Sequence, residues 1–114
     1  MPTIFANTIE GLSLEQKKDI FRRITEVTSK DVGVAETAVR IIWTERKPGD
    51  MSVGGYMLDD GGLAGLYPIF HITTKTGKSE EMLKNWRQHI SEVVADVARI
   101  PVEKISVYFW EQRI

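Results

Sequence analysis

The chain opens with the short apolar segment Met1-Pro2-Thr3-Ile4-Phe5-Ala6-Asn7-Thr8-Ile9. Its β-branched and aromatic residues predict a strand that begins directly after Pro2. Removal of Met1 would leave Pro2 with a free secondary amine, and the strand behind it would hold that amine at a fixed place. Terminal amines titrate at about pH 7.7–8 in model peptides, and burial or nearby cations lower that pKa. An anchored amine of this kind is a candidate base near neutral pH, and the alternative is that Pro2 is simply the N-terminal residue.

A second copy of this segment begins at Pro68. When the chain is laid on itself with an offset of 66 residues, identical residues coincide along most of its length. The coincident pairs are Pro2 and Pro68, Gly11 and Gly77, Ser13 and Ser79, Glu15 and Glu81, Lys18 and Lys84, Ile24 and Ile90, Glu26 and Glu92, Val27 and Val93, and Glu45 and Glu111. Such self-similarity indicates an internal duplication. We predict one domain over residues 1–114, with repeats at 2–48 and 67–114 and a linker at 49–66.

The first repeat has the pattern strand, helix, strand. Ser13 and Gln16 form a capping-box signature at the start of a helix, and Gly33 is expected to end it. Alternating apolar residues then predict a strand over residues 38–44.

The second repeat has the same order of elements. We predict a strand over residues 69–74, a turn at Gly77, a helix over residues 79–98 that Pro101 stops, and a strand over residues 105–110. The glycine-rich linker is expected to contain a hairpin at residues 52–57; a phosphate-binding loop is disfavoured because no Lys-Ser or Lys-Thr and no helix follow.

Two β-α-β units side by side give an α+β fold, β-α-β-β-α-β, in which a four-stranded sheet carries both helices on one face. The opposite face of the sheet is left bare. Because its predicted strand residues are too apolar to remain in water, we expect copies of the chain to associate through this face.

Composition excludes several classes of protein. The 114 residues are 42% apolar and 27% charged, with a formal net charge of −1, as in an ordinary globular domain. The absence of cysteine removes disulfides and thiolate sites, and two distant histidines, His71 and His89, argue against a metal centre. No membrane span or secretory signal is evident, and the charge gives no reason to expect nucleic acid as a partner. We expect a cytoplasmic protein.

The order and spacing of these motifs resemble a known family. The segments Ile9-Glu10-Gly11, Glu15-Gln16-Lys17, Val39-Arg40-Ile41-Ile42-Trp43-Thr44-Glu45 and Gly54-Gly55, together with Pro2, resemble the unit of 4-oxalocrotonate tautomerase (4-OT). The second repeat, with Lys75-Thr76-Gly77-Lys78-Ser79 and Val107-Tyr108-Phe109, is more similar to the cis-3-chloroacrylic acid dehalogenase group. The resemblance implies a fused member of the tautomerase superfamily that assembles as a homotrimer.

The resemblance also implies roles for individual residues. Pro2 would be the general base of an isomerase that moves a proton in small enol or 2-oxo carboxylates, and Tyr108 would be a second catalytic residue. Arg40, Lys75 and Lys78 would bind the substrate carboxylate and stabilise the enolate. Pro68 cannot repeat the base chemistry, because its nitrogen is an internal amide.

Departures from the family pattern leave alternatives open. Leu12, Thr28 and Met51 replace an arginine, a histidine and an aromatic residue of the family's sites. A dehalogenase or hydratase remains an alternative, although no water-activating carboxylate can be placed. A non-catalytic binding module is a further alternative if Met1 is retained. We expect Glu45 and Glu111 to be structural, with pairing to Arg40 or Arg46, and Trp43, Trp86 and Trp110 to lie in the core or an interface.

Overall fold

The computed structural model describes residues 2–58 and 67–112. Its elements are β1 (Thr3–Ile9), α1 (Leu14–Val32), β2 (Arg40–Arg46), β3 (Ser52–Val53), β4 (Tyr56–Met57), β5 (Ile69–Lys75), α2 (Glu80–Ala98) and β6 (Ser106–Gln112). Every bound of β5, α2 and β6 equals the corresponding bound of β1, α1 and β2 plus 66. The same shift relates the short 3₁₀ turns Glu36–Ala38 and Val102–Lys104 that precede β2 and β6.

The main sheet has the strand order β2-β1-β5-β6. Within each half the two strands are parallel, and the halves meet through the antiparallel pair β1–β5. Both helices cover the same face of this sheet. The predicted α+β class and the arrangement of four strands and two helices are confirmed.

The core lies between the sheet and the two helices. Because side chains alternate along a strand, the even-numbered residues of β1 and β5 point toward the helices. The buried core consists of Ile4, Ala6, Ile20, Ile24, Phe70, Ile72, Trp86, Ile90, Val93, Val94 and Val107. The odd-numbered residues of β1 and β5 point to the uncovered face.

The ends of the helices follow from their capping residues. Ser13 Oγ accepts a hydrogen bond from Gln16 N at 3.1 Å, and Gln16 Oε1 accepts one from Ser13 N at 2.9 Å, so the predicted capping box is present. Gly33 ends α1 in the left-handed conformation at φ 69°. At the equivalent place, Arg99 ends α2 at φ 58°, so α2 is already terminated two residues before Pro101.

The two outer strands, β2 and β6, begin and end one or two residues later in the chain than the sequence predicted. In the first repeat, the amides of Ala38 and Val39 bond to Ala35 and Glu36 within the 3₁₀ turn, so they are not available to β1. The strand therefore begins at Arg40 and extends to Arg46. The predicted hairpin is present as β3–β4, with Gly54 and Gly55 at positive φ in its turn.

The two helices are joined by polar contacts across their interface. Trp86 Nε1 donates to Thr28 Oγ1 at 2.9 Å in the buried part of this interface. At its edges, Arg23 and Asp96 form an ion pair at 2.8 Å, and His89 lies 2.6 Å from Asp31. Among the described residues, neither helix is long and apolar enough to span a bilayer.

Candidate active site at the Pro2 edge of the sheet

The strand register brings the start of β1 and the end of β5 to the same edge of the sheet. Thr3 pairs with Thr73 in the antiparallel ladder, so one further step along it places Pro2 opposite Thr74. Lys75 is the next residue of β5, and Arg40 pairs with Thr3 from the other side. We call this end of the sheet the Pro2 edge, with Pro2, Arg40, Lys75 and Lys78 as its members.

Pro2 is held by the sheet. The residue is buried, and its carbonyl accepts a hydrogen bond from Arg40 N at 3.2 Å. This bond fixes the backbone of Pro2 at the edge even though the regular strand begins only at Thr3. Met1 lies outside the described residues, so the predicted removal of Met1 stays a prediction.

The two lysines lie on one turn after β5. Lys75 is exposed at the end of the strand, and the chain reverses through Gly77 at φ 104°. Lys78 is half-buried, and its Nζ donates to the carbonyl of Lys75 at 3.2 Å. The bond holds the Lys78 ammonium beside the last residue of β5. The turn therefore places two cations next to the strand end that faces Pro2.

Tyr108 is not brought to the Pro2 edge of its own chain. It lies on β6, which is separated from β1 by β5, and its register partner is His71 in the middle of the sheet. The Tyr108 ring stacks on the His71 ring with centroids 5.4 Å apart on the uncovered face. Tyr108 can therefore reach the Pro2 edge only of another subunit, and only if the uncovered faces of the two subunits pack together.

The uncovered face exposes several large hydrophobic side chains. They are Phe5 (39% exposed), Ile42 (43%), Tyr108 (52%) and Trp110 (59%). His71 lies among them, opposite Phe5 in the ladder and 5.2 Å from the ring of Trp110. His71 was not among the site residues predicted from the sequence, although the period of two along β5 places it on the same face as Ile69.

Glu45 does not pair with Arg40 or Arg46 as expected. Its carboxylate lies 2.8 Å from Lys17 Nζ on α1. Odd-numbered residues of β2 point toward the helices and even-numbered ones point away, so Glu45 and the two arginines lie on opposite faces. Glu45 thus links β2 to α1. At the position of Lys17 the second repeat has Leu83, so Glu111 has no equivalent partner there.

Two of the residues that depart from the family pattern, Thr28 and Leu12, pack inside the fold. Thr28 is fully buried and accepts the hydrogen bond from Trp86, and Leu12 packs against the core. Thr28 is therefore out of reach of a substrate, whereas Leu12 is half-buried at the position equivalent to Lys78. In the described part of the chain, no three histidine or carboxylate side chains are grouped as ligands for a metal ion.

The sequence profile of the tautomerase enzyme family matches residues 2–61, which is more than half of the chain. The chain belongs to the tautomerase family. A 2-hydroxymuconate tautomerase of Pseudomonas putida is 36% identical over 55 residues, which make up 48% of this chain and 87% of that enzyme. A probable tautomerase of Lactiplantibacillus plantarum is 32% identical over 60 residues, or 53% of this chain and 94% of the relative.

Solved structures extend the likeness of this tautomerase to both repeats. A native fused 4-OT has a TM-score of 0.90 at 22% identity over 97% of this chain and 87% of its own. A member of the cis-3-chloroacrylic acid dehalogenase family has a TM-score of 0.84 at 18% identity, over 97% of this chain and 75% of its own. The expected fused architecture is confirmed, and these structures show the fold alone.

Proposed function

We propose that this tautomerase is a cofactor-independent isomerase of small enol or 2-oxo carboxylates, with the Pro2 amine as general base after removal of Met1. The observation that carries the proposal is the register of β1, which brings Pro2, Arg40 and Lys75 to one edge of the sheet. The relatives named 2-hydroxymuconate tautomerase support a conjugated hydroxy acid as substrate.

In the proposed reaction the neutral amine takes the proton from the enol hydroxyl and the protonated amine delivers it to carbon. One C–H bond forms, one O–H bond is lost, and the amine ends as it began. The intermediate is an enolate with negative charge on oxygen, next to a carboxylate. Arg40 would stabilise the developing charge, and Lys75 and Lys78 would bind the carboxylate.

Tyr108 enters the proposal through assembly. A homotrimer would bury the uncovered faces against one another, so that a neighbouring subunit could supply Tyr108 to the Pro2 edge as a hydrogen-bond donor. The exposed Phe5, Ile42, Tyr108 and Trp110 support this association, because an apolar surface of this kind favours a partner. A fused 4-OT of similar fold, with a TM-score of 0.87 at 20% identity, is described as an asymmetric trimer.

The decisive experiment combines intact mass with turnover. The purified protein should have lost the mass of Met1, and it should ketonise 2-hydroxymuconate or phenylenolpyruvate. Pro2→Ala should lower kcat/KM by about 100-fold or more, the usual contribution of a general base. Pro68→Ala is the matched control, since Pro68 is the equivalent residue of the second repeat, and it should turn over at the parental rate. Equal rates for Pro2→Ala and the parent would refute the role of Pro2. Chloride release from a 3-chloroacrylate without tautomerase turnover would instead assign the chain to the dehalogenases.

A further inference from the structure

The opposite end of the sheet has a cavity that the proposed reaction does not use. Pro68 is the residue of the second repeat that corresponds to Pro2, and it lies at this end of the sheet. Its carbonyl accepts a hydrogen bond from Ser106 N at 3.0 Å, as the carbonyl of Pro2 does from Arg40 N. The nitrogen of Pro68 is an amide and cannot exchange a proton. We call this end the Pro68 edge.

The cations of the Pro2 edge are missing from the Pro68 edge. At the positions of Arg40, Lys75 and Lys78, the other repeat has Ser106, Ile9 and Leu12.

The Pro68 edge is neither apolar nor filled. A cavity of about 330 Å³ lies there, and its lining includes Asn7, Arg46, Asp50, Met51, Ile69 and His71. This volume is within the range of small-molecule sites. The polar groups are specific to this end, because the repeat places Thr73, Gln112 and Phe5 where Asn7, Arg46 and His71 stand. The two edges thus carry different polar sets on one backbone.

Within the described part of a single chain, three polar side chains of the cavity have no partner. Within residues 2–58 and 67–112, no hydrogen bond or ion pair engages the guanidinium of Arg46, the carboxylate of Asp50 or the amide of Asn7. Arg46 offers a planar fork of donors that suits a carboxylate, and Asp50 offers acceptors for a hydroxyl or an ammonium group. Met51 and Ile69 add apolar wall for a short carbon skeleton.

We infer that the Pro68 edge is a second, non-catalytic binding site for a small carboxylate that also carries a hydroxyl or ammonium donor. Arg46 binds the carboxylate, Asp50 accepts the hydrogen bond of the donor, and Asn7 and His71 supply further hydrogen-bonding groups. The inference does not depend on the chemistry of Pro2, because it uses a different end of the sheet and different residues.

The test measures binding of L-lactate and of propionate, which lacks the hydroxyl, by titration calorimetry. The parent protein for this test carries Lys75→Gln and Lys78→Gln, which remove the carboxylate-binding cations of the Pro2 edge. It should bind lactate more tightly than propionate, with one site per chain. Arg46→Gln should weaken lactate binding by about tenfold or more, as expected for the loss of a charged hydrogen bond. Asp50→Asn should reduce the preference for lactate over propionate.

The control is Lys47→Gln, which removes a neighbouring exposed cation outside the cavity lining and should leave binding unchanged. Circular dichroism verifies that each variant is folded. The inference is overturned if lactate shows no saturable binding, if Arg46→Gln binds as the parent does, or if Lys47→Gln weakens binding equally. In the otherwise native chain, Arg46→Gln should keep its turnover of the tautomerase substrate, and Pro2→Ala should keep its binding of lactate. Failure of this site and failure of the Pro2 mechanism therefore give different results.

Discussion

Arg40 and Pro2 are joined through the backbone, with the amide of Arg40 3.2 Å from the carbonyl of Pro2. The same bond that extends the β1–β2 ladder past Thr3 therefore also holds the backbone of the proposed enolate-stabilising arginine beside that of the proposed base. Substitutions of the Arg40 side chain leave this bond intact, so they can change catalysis without moving Pro2.

The first prediction concerns anchoring of the substrate carboxylate. Lys78→Ala should raise KM for 2-hydroxymuconate roughly tenfold while raising KM for an uncharged enol much less, because only the former loses a charged contact. Steady-state kinetics with both substrates measures the difference. Lys84→Ala, on the exposed part of α2, is the control and should change neither value. Equal increases for the two substrates would mean that Lys78 acts on the structure of the turn instead.

The second prediction concerns pH. The Pro2 amine is active when neutral, so kcat/KM should fall with unit slope as the pH drops below the pKa of this amine. A nearby cation disfavours protonation and so lowers that pKa. Lys75→Gln should therefore raise the pKa and move the acid limb of the profile to higher pH by about 0.3–1 unit. Lys18→Gln, an exposed lysine of α1, should leave the limb in place. A shift to lower pH, or none, would place Lys75 away from the amine.

The third prediction concerns assembly. Ile42→Glu places a charge on the uncovered face and should shift the protein from trimer toward monomer, because the carboxylate would have to be desolvated in the interface. Val102→Glu is a closely matched control, since both side chains are 43% exposed and Val102 lies in the 3₁₀ turn outside the sheet. Analytical ultracentrifugation measures the mass of each variant. A monomeric parent protein, or equal dissociation of both variants, would contradict assembly through this face.

The fourth prediction compares two tryptophans. Trp86 is fully buried and its Nε1 donates to Thr28, whereas Nε1 of Trp43 is buried without a partner among the described residues. Trp86→Phe should lower the free energy of unfolding by about 2–3 kcal/mol, because it creates a cavity and leaves the Thr28 hydroxyl unpaired. Trp43→Phe also removes an unpaired donor, so its cost should be about 1 kcal/mol or less. Denaturant unfolding of the two variants gives the comparison, and equal losses would mean that the Trp86–Thr28 bond adds nothing.

Much of this fold can be predicted from the sequence because the duplication supplies the same evidence twice. Gly11 and Ser13 mark a turn and a helix cap and return as Gly77 and Ser79 in the second repeat, whereas Gly33, which marks the helix end, is replaced there by Arg99. The pairing of the halves then places Pro2 beside Lys75. The sequence predicted a pair between Glu45 and an arginine of its own strand, and this was wrong because strand alternation places them on opposite faces.

The polar site at the Pro68 edge could not be predicted in the same way. Arg46, Asp50 and His71 come from three separate segments, and the parallel β1–β2 pairing and the antiparallel β1–β5 pairing are both needed to bring Arg46 and His71 to one cavity. The bond between Trp86 and Thr28 is hidden for a similar reason. It joins residues of two helices whose relative rotation depends on packing, and no local pattern specifies that rotation.

The last prediction concerns the two helix ends, which have the same backbone conformation and different residues. Gly33 ends α1 at φ 69° and Arg99 ends α2 at φ 58°, and left-handed geometry costs a residue with a Cβ roughly 1–2 kcal/mol. Gly33→Ala should therefore destabilise the protein by about 1 kcal/mol after the entropy gained from a less flexible unfolded chain is subtracted. Arg99→Gly should stabilise it by up to about 1 kcal/mol, because glycine adopts this conformation without strain. Gly49→Ala is the control, since no atom lies within 4 Å of the added Cβ and φ there is not positive, and it should be neutral or slightly stabilising. Thermal unfolding of the three variants measures these effects, and a loss of stability in Arg99→Gly would show that the arginine side chain contributes more to the end of α2 than its backbone strain removes.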